Sequence, residues 1–157
     1  MTNYASLLEK DPPWLHALPD RAEGEIVEAA AENRDVLVRV VDGESVQDVD
    51  SLFSVMAREF NFPDYFGENW PAFNECIRSL SWLPARAYLL VFQNSEFLLK
   101  DSQPDRAVFM KVMRDAGRRW ANSFALGDAW GGGDVPFNVV FLCPDGELAS
   151  TEAQFLG

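Results

Sequence analysis

The spacing of apolar residues predicts three short strands that are almost wholly apolar. Residues 36–41, 87–92 and 137–142 read VLVRVV, AYLLVF and FNVVFL. Continuous apolar runs of this length are typical of strands that are covered on both faces, as in parallel sheets. Between the runs, apolar positions recur every three or four residues, which is the period of a helix packed on one side.

Four helices are predicted around these strands, over residues 20–33 and 48–60, from near Asn69 onward, and over 104–120. Asn69 can cap the first free amides of its helix, and a proline two residues later fits the first turn, where its missing N–H costs little. The order helix, strand, helix, helix, strand, helix, strand implies parallel strands joined by right-handed crossovers.

The remaining segments suggest one domain with an extension. Residues 1–19 carry three of the nine prolines and show no sustained period, and no linker divides the rest of the chain. We expect an α/β domain over residues 35–157, preceded by a helical extension over residues 1–34. Its apolar residues are expected to pack on the sheet or on the first helix, although they could form a second contact surface; they are Trp14, Leu15, Ile26 and Val27. The loop 122–134 is predicted to be a mobile connection, although its Trp130 could widen an interface.

Composition adds an unusual charge to an otherwise ordinary chain. The 157 residues are 48% apolar and 13% aromatic, but carry a net charge of −12. Fifteen acids and five bases fall in residues 1–70. Such a chain repels phosphate backbones and anionic lipid, and its field attracts a cationic protein. The alternative is that the acidity serves only solubility.

Candidate catalytic chemistry is sparse. A single histidine, His16, lies among apolar neighbours that favour a packed role, and Cys76 and Cys143 make neither a disulfide framework nor a zinc site. The glycines at 131–133 precede a strand, whereas a phosphate-binding loop follows one. We therefore expect no enzymatic activity, no metal and no cofactor. Since the N-terminus lacks the pattern of a signal peptide and no long apolar run occurs, we expect a cytoplasmic protein.

The most informative segment is DYFGENWPAFNEC, residues 64–76. It places Tyr65, Asn69, Trp70 and Glu75 at the start and outer side of a helix. Exposed Tyr and Trp side chains are typical anchors of protein interfaces. Alternatively, the two aromatic residues belong to the edge of the core and Glu75 forms a solvated ion pair with a nearby arginine, which is worth little. The pattern alone leaves both interpretations open.

Residues 41–77 resemble the barstar family of intracellular inhibitors of the secreted ribonuclease barnase. The stretch VDGESVQDVDSLFSVMAREFNFPDYFGENW keeps the family spacing without a gap, and FPDYFGEN is its most recognisable run. Weaker similarity extends over roughly residues 35–142. The resemblance implies a small three-stranded parallel sheet covered by helices. It also implies inhibition by plugging, in which an acidic helix and its preceding loop occupy a cationic active site in place of substrate phosphates.

The resemblance also implies contact residues. Tyr65 matches the loop tyrosine of the family interface, and Asn69 and Trp70 match the start of the inhibitory helix. Glu75 falls where the family has its most important aspartate, and Asp115 falls where a supporting glutamate sits. If these residues act together, Glu75 and Asp115 should share an anionic patch beside Tyr65.

Three matched positions depart from the family pattern. Pro71 replaces a key aspartate, and Asn74 replaces an interface tryptophan, although we keep Asn74 among the expected contact residues. Arg119 falls at a further acidic position. A proline in place of an acid weakens the expected match to a cationic cleft.

Two hypotheses follow from the sequence. The first is an inhibitor of the immunity or antitoxin type that blocks a basic ribonuclease or toxin through an acidic helix and loop. It is expected to be a monomer when free and to bind neither nucleic acid nor membrane. The second is a barstar-like interaction module or regulator with no nuclease target, which Pro71 and the unexplained N-terminal segment favour.

Overall fold

Four strands and five helices make up the part of the chain that the computed structural model describes, residues 4–33, 35–122 and 135–156. The strands are β1 (Leu15–Pro19), β2 (Val36–Asp42), β3 (Ala87–Gln93) and β4 (Phe137–Cys143). The helices are α1 (Glu23–Ala31), α2 (Val49–Glu59), α3 (Trp70–Ser79), α4 (Gln103–Ala121) and α5 (Leu148–Phe155). The bounds of β2, β3, β4, α2 and α4 agree with the sequence prediction to within one residue.

The strands form one parallel sheet in the order β1-β4-β3-β2. The predicted α/β class and parallel pairing are confirmed, but the expectation of three strands is wrong. The fourth strand, β1, lies beside β4, with Leu15 opposite Val139. Its five residues include His16 and Pro19, so the sequence lacks the apolar run that marks the other strands.

The N-terminal extension is therefore not simply helical, because it supplies β1 as well as α1. The extension was predicted to pack on the sheet or on the first helix, and the structure shows it on the sheet. Its buried residues and those of the sheet face below them form the aliphatic core, which consists of Leu7, Ala22, Ile26, Ala30, Leu89, Val91, Val140 and Leu142. Of the residues expected to make this contact, Leu15 and Ile26 are buried, whereas Trp14 and Val27 are half-buried.

The opposite face of the sheet carries a much more aromatic core. Successive side chains of a strand point to opposite faces, so β3 gives Tyr88, Leu90 and Phe92 to this side. Helices α2, α3 and α4 cover it. We call this cluster the aromatic core; its rings include Phe53, Phe60, Phe73, Tyr88, Phe92, Phe109, Trp120, Phe137, Phe141 and Phe155.

Two further features complete the description. Helix α5, which the sequence analysis does not anticipate, lays Phe155 against Phe141 with ring centroids 4.5 Å apart. Most of the loop 122–134, including Trp130 and the three glycines, lies outside the described residues. Among the described residues, no helix is both long and apolar enough to cross a lipid bilayer.

Candidate partner-binding surface

The loop between α2 and α3, residues 61–69, has a fixed backbone path. Asn61 and Glu68, near its two ends, adopt left-handed conformations with φ of 52° and 50°. Between them, the amide of Phe66 donates to the carbonyl of Pro63 at 2.9 Å, which closes a tight turn. Left-handed residues other than glycine are uncommon and persist where surrounding contacts hold them. The loop therefore has one defined conformation, which its surrounding contacts hold in place.

Two phenylalanines anchor this loop and leave its tyrosine outside. The rings of Phe62 and Phe66 lie edge to face, 5.0 Å apart, and Phe66 also packs on Phe53 at 5.8 Å. Tyr65, in contrast, is 72% exposed, the highest value among the large hydrophobic side chains of the described residues. An exposed aromatic ring on an anchored loop loses little conformational entropy when a partner covers it.

Helix α3 starts as the sequence predicts. The Oδ1 of Asn69 accepts a hydrogen bond from the amide of Ala72 at 2.8 Å, and its Nδ2 donates to the carbonyl of Gly67 at 3.2 Å. Pro71 occupies the first turn. Both polar ends of the Asn69 side chain thus hold the junction between loop and helix.

Trp70 lies at the edge of the aromatic core, and part of its side chain stays exposed. Its ring lies 5.0 Å from that of Phe53, and its Nε1 donates to Oδ1 of Asp105 at 3.1 Å, in the first turn of α4. Near the other end of both helices, Nε1 of Trp120 donates to the carbonyl of Ile77 at 3.0 Å. These two contacts fix α3 and α4 side by side and parallel.

A groove runs along the outer side of this helix pair. It consists of two adjoining depressions of about 390 and 570 Å³ that share Asn74, Arg78 and Arg119. We call it the α3–α4 groove; the first depression also contains Pro71 and Glu75, and the second Lys111, Asp115 and Arg118. Expected contact residues Asn74, Glu75 and Asp115 therefore line one continuous surface, whereas Tyr65 lies on the loop that leads into it.

The charge of the groove differs from expectation. Nζ of Lys111 lies 2.8 Å from Oδ2 of Asp115, and Arg118 approaches the same carboxylate at 3.9 Å. Glu75 is exposed and has no ion pair within the described part of the chain. Four bases thus face two acids, and the shared anionic patch of Glu75 and Asp115 is absent.

Negative charge is concentrated instead on the segment that runs from the end of α2 through the loop into α3, and this segment reaches the groove at Glu75. The residues between Arg58 and Arg78 contain no Lys or Arg. Their acids are Glu59, Asp64, Glu68 and Glu75. The candidate surface therefore has an acidic part around Tyr65 and a mixed, mainly basic part in the groove.

Sequence reasoning missed the arginines of this basic part. It noted Arg119 at an acidic family position, but it did not place Arg78 beside it. The sequence feature that could have revealed the basic part is the position of each arginine in the last turn of its helix. Because α3 and α4 are parallel, their last turns lie at the same side of the molecule.

The Cys76 thiol and the His16 imidazole both lie within the fold. Burial, with a smaller contribution from the charge of Glu75, raises the pKa of the Cys76 thiol, so the nucleophilic thiolate is disfavoured. His16 lies in β1, where its Nε2 is 2.9 Å from Oδ1 of Asn138. In the described residues, no group of three or more His, Cys, Asp or Glu side chains is arranged to hold a metal ion.

Comparison with models of protein families gives a match. A family model described as Barstar (barnase inhibitor) matches residues 36–141, about two thirds of the chain. The chain belongs to the barstar family. A search of curated proteins finds no match. The segment matched to the barstar family runs from β2 into β4 and includes the loop 61–69, α3 and α4, but it begins after β1 and α1. The barstar segment thus holds the whole candidate surface, and the N-terminal extension lies outside it.

Proposed function

We propose that this chain is an inhibitor of the immunity or antitoxin type that blocks a basic ribonuclease or a similar toxin. The loop 61–69 and the outer side of α3 would contact the enzyme. The observation that carries this proposal is Tyr65, 72% exposed and held on an acidic segment of a barstar-family domain. The family description as barnase inhibitor supports the class of partner.

Charge determines how such a partner would be found. A net charge of −12 attracts a cationic enzyme over distances of about a Debye length, roughly 10 Å at 0.1 M salt. Association should therefore be fast at low salt and slow down as salt screens the field. Close contact then depends on a buried aromatic anchor and on carboxylates that each meet a cation.

The expected contact residues differ in what they can contribute. Tyr65 and Glu75 have exposed, unengaged surface, whereas the carboxylate of Asp115 is already shared by two bases. Asn69 and Trp70 are engaged in internal hydrogen bonds, so we assign them the positioning of loop and helix. Asn74 lines the groove and is available for a polar contact.

Inhibition of purified basic ribonucleases, barnase among them, tests the proposal. We expect inhibition by the wild-type chain that weakens with added salt. Tyr65→Ala and Glu75→Ala should each weaken it by about 2 kcal/mol or more, the usual size of an interface hot spot. Glu75→Ala with Asp115→Ala should weaken it further by only a small amount.

Glu28→Ala is the matched control, since Glu28 is exposed on α1 within the extension. It should leave inhibition unchanged. Absence of inhibition across basic ribonucleases, or full inhibition by the Glu75 and Asp115 double variant, would contradict the proposed contact.

A second candidate is an interaction module without a nuclease target. Pro71 in place of an acid and the four bases of the α3–α4 groove favour it. The genes next to the one that encodes this chain separate the two candidates. A toxin or secreted nuclease gene supports inhibition, whereas a housekeeping operon supports the module.

A further inference from the structure

We infer that the α3–α4 groove binds a carboxylate of the partner protein between Arg78 and Arg119. The inference rests on the proposed function, because the groove adjoins the proposed contact surface. It adds a second chemical feature of the partner, an acidic side chain that meets the groove. It assigns a role to a basic cluster in a chain whose net charge is strongly negative.

Two arginines of the groove form no ion pair within the described residues, although Glu75 lines the same depression. Asp115 engages Lys111 and Arg118, but neither Arg78 nor Arg119 has an ion pair within the described residues. In addition, Nε of Arg78 is buried and has no hydrogen-bond partner there. A buried donor without an acceptor is unfavourable, so it is usually satisfied by protein, water or a ligand.

The same fold shows how it satisfies other guanidinium groups. Nε of the buried Arg106 donates to the carbonyl of Leu98 at 2.9 Å. Nε of Arg39 donates to the carbonyl of Glu59 at 2.6 Å. Arg78 differs from both because no carbonyl of the described residues accepts a hydrogen bond from its Nε.

The attraction of positive charge to the C-terminal ends of helices explains only part of the positions of Arg78 and Arg119. Arg78 and Arg119 lie in the last turns of α3 and α4, where a positive charge is favourable near the free carbonyl groups. That effect accounts for a basic residue at each helix end. It does not account for a buried Nε that lacks an acceptor beside a second unpaired guanidinium in one groove.

A carboxylate is the occupant that this chemistry favours. The planar guanidinium group presents parallel donors that match the two oxygens of a carboxylate, and the amide of Asn74 in the same groove adds a further donor. A phosphate of RNA has similar oxygens, but the chain's charge of −12 repels a polyanion. The occupant is therefore an Asp or Glu side chain of a protein.

The consequence is selectivity among basic partners. A cleft that is cationic throughout would meet Arg78 and Arg119 with like charge, which disfavours binding. The partner selected by this surface presents bases to the acidic loop and to Glu75, and an acid beside them to the groove.

The inference is tested by NMR titration of the full chain with three probes: a capped glycine peptide that contains one Glu, the same peptide with Gln in place of the Glu, and a single-stranded RNA dodecamer. The Nε–Hε resonance of Arg78 is the reporter. We expect saturable shifts with the Glu peptide and binding about tenfold tighter than that of the Gln peptide, because charge-assisted bonds are the stronger ones. Arg119→Gln should weaken binding about fivefold, whereas Arg86→Gln, which removes an exposed arginine outside the groove, should leave it unchanged.

The outcomes that would overturn the inference differ from those that would overturn the choice of a protein partner. Equal binding of the Glu and Gln peptides, no shift at Arg78, or an equal loss in Arg86→Gln overturns the inference. Tighter binding of the RNA than of the Glu peptide overturns the assignment to a protein partner. Because Arg119 is exposed, its variant should fold normally. Nuclease inhibition is measured separately, so its absence would reject the proposed function without altering the peptide result.

Discussion

The two faces of the sheet are built differently. The aromatic core lies under α2, α3 and α4, and these helices present the candidate surface. The aliphatic core lies under residues from the N-terminal extension, which is outside the segment matched to the barstar family. The segment matched to the barstar family therefore carries the candidate surface, but it leaves one face of its own sheet for the extension to cover. Without the extension, Leu89, Val91, Val140 and Leu142 would face solvent.

Polar contacts tie the extension to the rest of the domain. Asn138 of β4 is fully buried; its Oδ1 lies 2.9 Å from Nε2 of His16, and its Nδ2 donates to the carbonyl of Glu9 at 2.9 Å. On the helical side, Arg118 lies over the ring of Trp14 at 5.9 Å. The extension is thus part of the folded unit on both sides of β4.

Deleting residues 1–33 should have the largest effect on this arrangement. The deletion removes Leu7, Leu15 and Ile26 from buried positions, a loss of roughly 5 kcal/mol or more at the usual value for a buried aliphatic side chain. Since a domain of this kind is stable by only about 5–15 kcal/mol, we expect loss of the cooperative thermal transition in near-UV circular dichroism. An unchanged melting temperature would show that the extension does not complete the core.

A smaller substitution probes the contact between α4 and the extension. A Cβ at Gly117 would lie 2.6 Å from Cβ and Cγ of Trp14, so Gly117→Ala must displace that side chain. We expect a loss of about 1–3 kcal/mol in the free energy of unfolding, measured by urea denaturation.

Gly24→Ala is the matched control. Gly24 lies in α1 with nothing within 4 Å of the added carbon, and alanine favours the helix over glycine. This variant should therefore gain about 0.5–1 kcal/mol. Equal effects of the two substitutions would mean that Trp14 does not pack on α4 in solution.

The smallest expected effect is that of pH on the free energy of unfolding. Burial lowers the pKa of His16 below its ordinary value of 6.5, and the hydrogen bond with Asn138 offsets this only in part. The unfolded chain therefore binds a proton at higher pH than the folded chain does. Stability should fall as pH drops from 6.5 toward the lowered pKa of the folded state.

The measurement is the free energy of unfolding between pH 7.5 and 5 for the wild type and His16→Gln. The variant should lose less stability across this range. An identical slope for both proteins would contradict burial of a neutral His16.

Local pattern was sufficient for most of the fold. The long apolar runs of β2, β3 and β4 and the Asn69 cap are readable from adjacent residues alone. Strand β1 was missed because its five residues become a strand only by pairing with β4, which is distant in sequence. The charge of the α3–α4 groove was missed for a similar reason, since Arg78 and Arg119 meet only once two helices pack in parallel.

Photo-crosslinking in cells that produce the protein tests the central claim most directly. A photoreactive phenylalanine analogue replaces Tyr65 in one variant and the exposed Glu28 of the extension in another. We predict a crosslink from position 65, and none from position 28, to a basic protein with ribonuclease or toxin activity. A crosslink from position 28 alone, or from position 65 only to a protein without such activity, would contradict the account.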